Sequence, residues 1–217
     1  MHTLLQRIAP PSLPLAGQEY TATYQDQLNN VLRLYFNQLT TILGAITGEN
    51  GGQYIDCPNG LIFNTDDQTF AAPNTAYPIV YNVTYLSNAV QLKSGSSSQI
   101  EVLVGGVYNF QYTGQVLSTS ASAKTMDLWI RRNGIDIPYS NRARTVAANN
   151  QYTPVTWNFN IDLAAGEYVE LMAAVTDVAL YLDAMTAVAP HPGTSSSVMT
   201  VNFIAPLPDE RPTPPTP

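Results

Sequence analysis

Residues 155–163 read Val-Thr-Trp-Asn-Phe-Asn-Ile-Asp-Leu. Every odd position is apolar and every even one is polar. Successive side chains of a strand point to opposite faces, so this alternation specifies a strand with one buried and one open face. Val155, Trp157, Phe159, Ile161 and Leu163 share the first face; Thr156, Asn158, Asn160 and Asp162 share the second. The same pattern lies upstream, where Tyr108, Phe110 and Tyr112 alternate with Val107, Asn109 and Gln111. Alternation groups Tyr108, Phe110, Tyr112, Trp157, Phe159 and Ile161 as inner-face residues of a sheet. It leaves open whether that face is a domain core or a contact between subunits.

Between these strands the sequence MDLWIRR-NG-IDIPYS spells a hairpin. Asn133 and Gly134 are the pair that a two-residue type I′ turn requires, because both of its central residues take positive φ. Further short runs near 60–64, 77–82, 83–92, 99–104, 142–148, 168–175, 178–186 and 198–204 are separated by turn residues. Roughly ten strands with no helical pattern between them predict a mainly β domain over residues 48–204, a sandwich or barrel.

Upstream the period changes. Over residues 18–47 apolar side chains step by three and four. Leu28, Tyr35 and Ile42 form one seven-residue series, and Leu32, Leu39 and Ile46 form the other. This predicts one long amphipathic helix with a heptad-like seam suited to self-association. Val31, Phe36 and Leu43 widen the stripe. Gly48, Asn50, Gly51 and Gly52 stop the helix. Residues 1–17 are an arm in which Pro10, Pro11 and Pro14 forbid a helix. Residues 205–217 form a Pro-rich tail of polyproline character.

The composition narrows the function. Only 12% of the 217 residues are charged, about half the roughly 25% of ordinary soluble domains. Asn, Gln, Ser, Thr and Tyr supply the polar surface instead, which suits a protein that packs against copies of itself. The net charge of −7 argues against nucleic-acid binding, which needs clustered cations. Arg131, Arg132, Arg142 and Arg144 are the nearest approach to a cluster and read as solvated or inter-subunit charges. No apolar run is long enough to span a membrane. The first 17 residues lack the apolar stretch of a signal peptide. The protein is therefore expected to be made and kept in a cytosol, or assembled there into a particle.

Catalytic chemistry has few candidates. The chain has one cysteine, Cys57, and two histidines, His2 and His191, both in terminal or Pro-flanked segments. That argues against a thiol or Ser-His-Asp nucleophile. The acidic pair Asp66–Asp67 lacks calcium-loop spacing and reads as a surface turn. The expectation is a non-enzymatic protein with no catalytic residues, no metal site and no cofactor.

Several segments resemble a known superfamily. The order Gly106-Val107-Tyr108-Asn109-Phe110, the Arg132-Asn133-Gly134 turn, Leu163-Ala164-Ala165-Gly166-Glu167-Tyr168-Val169-Glu170-Leu171, and a closing Val198–Ile204 strand is similar to the jelly roll of the tumour-necrosis-factor and complement globular-head superfamily. Glu167 stands where that pattern usually has Asp. The resemblance implies a jelly-roll β-sandwich and a homotrimer, with aromatic side chains of one sheet meeting on the threefold axis. Trp129, Tyr168 and Tyr181 join the six inner-face residues as candidates for that surface or the core. A narrower resemblance is to jelly-roll proteins of tailed bacteriophages. It is carried by Leu13-Pro14-Leu15, by Leu34-Tyr35-Phe36-Asn37-Gln38-Leu39, and by Tyr168–Ile204 with its Asp177-Val178-Ala179-Leu180 segment, Pro190–Pro192 loop and SSSVMTVNFI ending.

Together these imply a homotrimeric virion component that decorates or cements a capsid or forms a short tail-fibre piece. Its partners would be copies of itself and major capsid or tail proteins. The alternative is a receptor-binding module whose loops contact a host-surface glycan or protein; a sugar-degrading enzyme is the least favoured reading.

Overall fold

The computed structural model describes residues 11–15, 21–47 and 57–208. The chain divides into two units, Met1–Asp56 and Cys57–Pro217. In the first, α1 spans Ala22–Thr47. Thr21 caps it: the Tyr24 N–H donates to Thr21 Oγ1 at 3.3 Å, meeting one of the orphan donors of the first turn. The expected start at residue 18 and the Gly-rich stop after Thr47 lie outside the described residues, as do 48–56 and 209–217. Residues 11–15 have no regular secondary structure.

The second unit is all β. Its strands are β1 (Asn59–Asn64), β2 (Tyr77–Pro78), β3 (Val83–Asn88), β4 (Val90–Leu92), β5 (Ile100–Val102), β6 (Gly106–Ser118) and β7 (Lys124–Arg132). They continue with β8 (Ile135–Asp136), β9 (Arg142–Val146), β10 (Gln151–Leu163), β11 (Tyr168–Val175), β12 (Leu180–Leu182) and β13 (Ser197–Ala205). One sheet has the order β10-β6-β13-β1-β3, with β12 also on β6. The other has the order β4-β5-β11-β7-β8, with β2 on β11 and β9 on β7.

The pairing shows how the chain is rolled. Taking the eight principal strands, the first pairs with the last (β1·β13), the second with the seventh (β5·β11), the third with the sixth (β6·β10), and the fourth with the fifth (β7·β9), all antiparallel. That is one long antiparallel ribbon. Wrapping it adds β6·β13 and β7·β11 and closes two facing sheets, which is a jelly roll.

Two expected strands are corrected. The run 83–92 is not one strand. Ala89 has φ of 54°, and there the chain leaves β1 in the first sheet for β5 in the second. The run 178–186 supplies only Leu180–Leu182, because Asp177 makes a turn whose side chain accepts from the Ala179 N–H at 3.0 Å.

The core lies between the sheets. Tyr108, Phe110, Tyr112, Ile62, Met199 and Val201 enter it from the first sheet, and Met126, Leu128, Leu171, Ala173, Ile100 and Val102 from the second. All are at most 1% exposed, and each large apolar side chain so buried contributes about 1.5–3 kcal/mol. Glycines on the inner edge of β6 make room: a Cβ on Gly106 would strike the Phe203 ring, and one on Gly114 the Tyr112 hydroxyl.

One feature of this core costs stability. The hydroxyls of Tyr81 and Tyr112 are fully buried and have no hydrogen-bond partner. By contrast, the Tyr108 hydroxyl donates to the Val104 carbonyl at 2.6 Å. Burial pushes both orphan phenols far above the ordinary tyrosine value, and their proximity raises Tyr112 further. A buried hydroxyl without a partner costs about 1–3 kcal/mol. Tyr112→Phe is therefore expected to leave stability unchanged or raise it by about 1 kcal/mol, whereas Phe110→Ala loses about 3–5 kcal/mol. Urea unfolding checks both; a Tyr112→Phe protein less stable than wild type would mean the hydroxyl is satisfied.

Candidate assembly interface

The register places the sequence-predicted aromatic residues. Tyr112 pairs with Trp157, Phe110 with Phe159 and Tyr108 with Ile161 across β6 and β10, and all point into the sandwich. Tyr108, Phe110, Tyr112 and Ile161 are buried, while Trp157 and Phe159 are half-buried at its margin. Phe159 stacks on Phe110 with centroids 5.2 Å apart. The three further aromatics lie elsewhere: Trp129 and Tyr168 on the outer side of the second sheet and Tyr181 on β12, all half-buried. The six grouped residues are therefore core and core margin.

The opposite parity of the same strands forms an open face. Three rows cross β10, β6 and β13: Asn160–Asn109–Asn202, Asn158–Gln111–Thr200 and Thr156–Thr113–Val198. None of these nine residues is charged. Their amides bond among themselves. Asn109 Nδ2 donates to Asn160 Oδ1 at 2.7 Å and to Asn158 Oδ1, and Gln111 Nε2 donates to Asn109 Oδ1 at 2.8 Å. Charge enters only at the end of β10, where Asp162 sits 3.6 Å from Arg132.

Toward β1 the face becomes apolar. Leu61, Phe63 and Val198 floor an open groove of about 600 Å³, walled by Met185, Thr194 and Ser195. The wall is held by reciprocal 2.9 Å backbone bonds between Met185 and Thr194. Leu86 and Ile204 extend the apolar strip, each about half exposed.

The second sheet is different. Its outer side carries Glu101, Asp127, Arg131, Asp136 and Glu170. Arg131 pairs with Asp136 at 2.7 Å, and the hydrogen bond from Arg131 holds the Asp136 carboxyl below its ordinary value. Charge is thus concentrated on one sheet, and the strands of the first carry only Asp162.

The helix is described by itself. Through Gly44 none of its side chains is buried. Leu28, Leu32, Tyr35, Leu39 and Ile42 are half-buried along the stripe; Leu34, Phe36 and Leu43 are at least 50% exposed. The Ile46 side chain lies outside the described residues. Asp26 and Arg33 are the only charges on α1.

The hairpin residues have a structural role. Asn133 and Gly134 have φ of 47° and 82°, as a type I′ turn demands. Asn133 is also tied across to the 164–167 turn. Its Nδ2 donates to Glu167 Oε1 at 2.9 Å, and its Oδ1 accepts from the Tyr168 N–H at 3.1 Å. Glu167 Oε2 accepts from Arg132 at 2.6 Å and from the Ala164 N–H at 2.7 Å. Glutamate thus reaches back to close the turn.

The acidic pair has a local structural role. Asp66 accepts from Asn82 at 3.0 Å and Asp67 from the Ala184 N–H at 2.7 Å. Among the described residues no three His, Cys, Asp or Glu side chains gather as a metal site, and no helix is long and apolar enough to cross a membrane. His191 and Cys57 are exposed.

No family model matches the chain, and no curated protein does. Among solved structures, the globular domain of zebrafish complement 1qA protein is similar over 70% of this chain and 99% of that one. The identity is 14% and the TM-score 0.44. The jelly roll itself stands on the strand pairing above.

The Glu167 knot generates a pH prediction. Burial works to raise this carboxyl, but the hydrogen bonds from Ala164, Arg132 and Asn133 outweigh it and hold it below the ordinary glutamate value. A depressed folded value means the contribution is present above the unfolded value of about 4.3 and is lost as pH falls through the folded one. Glu167→Gln is expected to lose roughly 1–3 kcal/mol at neutral pH and to show a shallower acid limb in thermal unfolding. A parallel acid limb in the variant would assign the pH dependence to other carboxylates.

Proposed function

We propose that the protein is a homotrimeric structural component of a virion. It works by assembly rather than catalysis, as a capsid decoration or cement protein or a short tail-fibre piece. The observation that carries the assembly reading is the nine-residue neutral array on β10, β6 and β13. Burying a charge in an interface costs far more than burying an amide that is already hydrogen-bonded. A domain that keeps its charges on one sheet and self-bonded amides on the other presents a face that is cheap to dehydrate.

The helix supports the same reading from a separate unit. None of the stripe side chains described is buried, and Leu34, Phe36 and Leu43 beside it are at least half exposed; an apolar stripe of this width is an interaction surface. In heptad terms Leu32, Leu39 and Ile46 take one core position and Leu28, Tyr35 and Ile42 the other. The second series, at d, holds isoleucine only at Ile42, so the seam supports self-association without selecting the number of strands. With almost no charge on α1, packing rather than ion pairs would set the register. The virion placement is supported by the likeness of the 13–15, 34–39 and 168–204 segments to tailed-phage jelly rolls. Partners would then be capsid or tail proteins.

Sedimentation of the full chain is expected to give about three times the 23.6 kDa chain mass. The double variant Gln111→Lys/Thr200→Lys, at open positions of the array, is expected to fold and to dissociate. Leu32→Lys/Leu39→Lys is expected to weaken association through the helix. A monomeric wild type at micromolar concentration would overturn the trimer. Antibody labelling of purified particles by electron microscopy tests the virion placement, and unlabelled particles would overturn it.

A further inference from the structure

Four of the six basic residues described in the β domain pair with a carboxylate or lie over a ring away from the β9–β10 margin. Lys124 pairs with Asp177 at 2.8 Å, Arg131 with Asp136 at 2.7 Å, and Arg132 with Glu167 at 2.6 Å. Lys93 lies over the Tyr168 ring. Among the described residues of this domain, Arg142 and Arg144 have no carboxylate at ion-pair distance. They are two residues apart on β9, and the register pairs them with the core residues Leu128 and Met126. Both therefore leave β9 on its core-facing side and are exposed at the open margin of the sandwich. A protein of net charge −7 here carries two arginines on the same side of one strand, two residues apart and without an ion pair among the described residues.

The margin also carries an aromatic platform. The Arg142 guanidinium lies 5.7 Å from the centre of the half-buried Trp157 ring, and its Nη1 donates to the Asn141 carbonyl at 2.8 Å. Trp157 rests on Phe159 at 4.9 Å, and Phe159 stacks on the fully buried Phe110. The indole is thus fixed by a ring column that runs into the core. A half-open indole with Arg142 over its ring, and Arg144 exposed two residues along the same side of β9, matches one ligand chemistry. The apolar side of a sugar packs on the part of the indole that Arg142 and Phe159 leave exposed, and a single carboxylate on that sugar takes both arginines by charge-assisted bonds.

We propose that the β9–β10 margin is a binding site for a saccharide bearing one carboxylate per sugar unit engaged. A phosphate polyanion fits less well, because it meets two cations in a field that is otherwise negative. The site is complete within one chain, so its test is independent of the oligomeric state.

The test titrates purified full chain with sialyllactose and with digalacturonic acid, followed by tryptophan fluorescence and by NMR. Lactose, inorganic sulfate and oligothymidylate serve as controls. The expected dissociation constant for an acidic sugar is about 1 mM. Lactose and sulfate should bind at least about tenfold more weakly, as should Arg144→Gln with sialyllactose. Arg142→Gln and Trp157→Phe should weaken it as well. Arg144 has no hydrogen-bond or ion-pair partner among the described residues, so Arg144→Gln should retain the wild-type melting temperature and reads the site without a folding effect. The proposal is overturned if neither acidic sugar gives a saturable change. It is also overturned if Arg144→Gln binds like wild type, if lactose binds equally well, or if oligothymidylate binds more tightly than either acidic sugar.

Discussion

The pairing of β6 is the constraint on which the rest of the sandwich depends. Along one edge it pairs residue for residue with β10, from Gly106 against Leu163 to Ser118 against Gln151. Along the other it takes β13 and then β12. Its inner face supplies Tyr108, Phe110 and Tyr112 to the core. Because β13 comes from the end of the chain and separates β6 from β1, the first sheet cannot close until nearly the whole domain is present. Such long-range closure makes folding slow and cooperative. It also explains why Gly106 and Gly114 lie on this strand: the core strand with the largest rings needs gaps for a neighbouring ring and for its own hydroxyl.

The sorting of charge between the sheets follows from the same alternation. Every residue on β6 and β10 faces either the core or the outer array, so a neutral outer face means that the polar parity was filled with amides and hydroxyls. Asn109 both donates and accepts within the array. Amides satisfied by one another surrender less hydration when covered than isolated ones do. Low charge in the composition thus has a location: the outer side of one sheet and the surface of α1, while the second sheet carries part-buried ion pairs.

Much of this architecture was legible because it is local. The alternation in 155–163, the Asn133–Gly134 turn and the heptad series of α1 each fix a backbone conformation within a few residues. The break at Ala89 was not legible, since nothing in Ser-Asn-Ala-Val announces a positive φ at alanine. The hydrogen bonds of strands in two different sheets impose it. The role of Glu167 escaped for a related reason: its partners Arg132 and Asn133 are 35 and 34 residues away. The unsatisfied hydroxyls of Tyr81 and Tyr112 depend on how side chains from separate strands meet, which no spacing encodes. The neutral array was half legible. Asn109, Gln111, Thr156, Asn158 and Asn160 fell on the polar parity, but only the register with β13 joined them to Thr200 and Asn202.

That register also changes what an interface on this sheet must be made of. The resemblance to trimeric jelly rolls leads one to look for aromatic residues at a threefold axis, and the sequence offers Tyr108, Phe110, Tyr112, Trp157 and Phe159. In this chain Tyr108, Phe110 and Tyr112 are buried in the sandwich and Phe159 and Trp157 lie at its margin, where Phe159 stacks on Phe110 and Trp157 rests on Phe159. A second copy approaching the first sheet meets amides over β6 and β10, and leucine, phenylalanine and valine over β1 and β13. An interface built on amides gains less from apolar burial and more from matched hydrogen bonds, which fix orientation more sharply than they fix affinity. The hydrophobic contribution to assembly would then come from the groove beside β1 and from the α1 stripe. The central array would supply the rotational register.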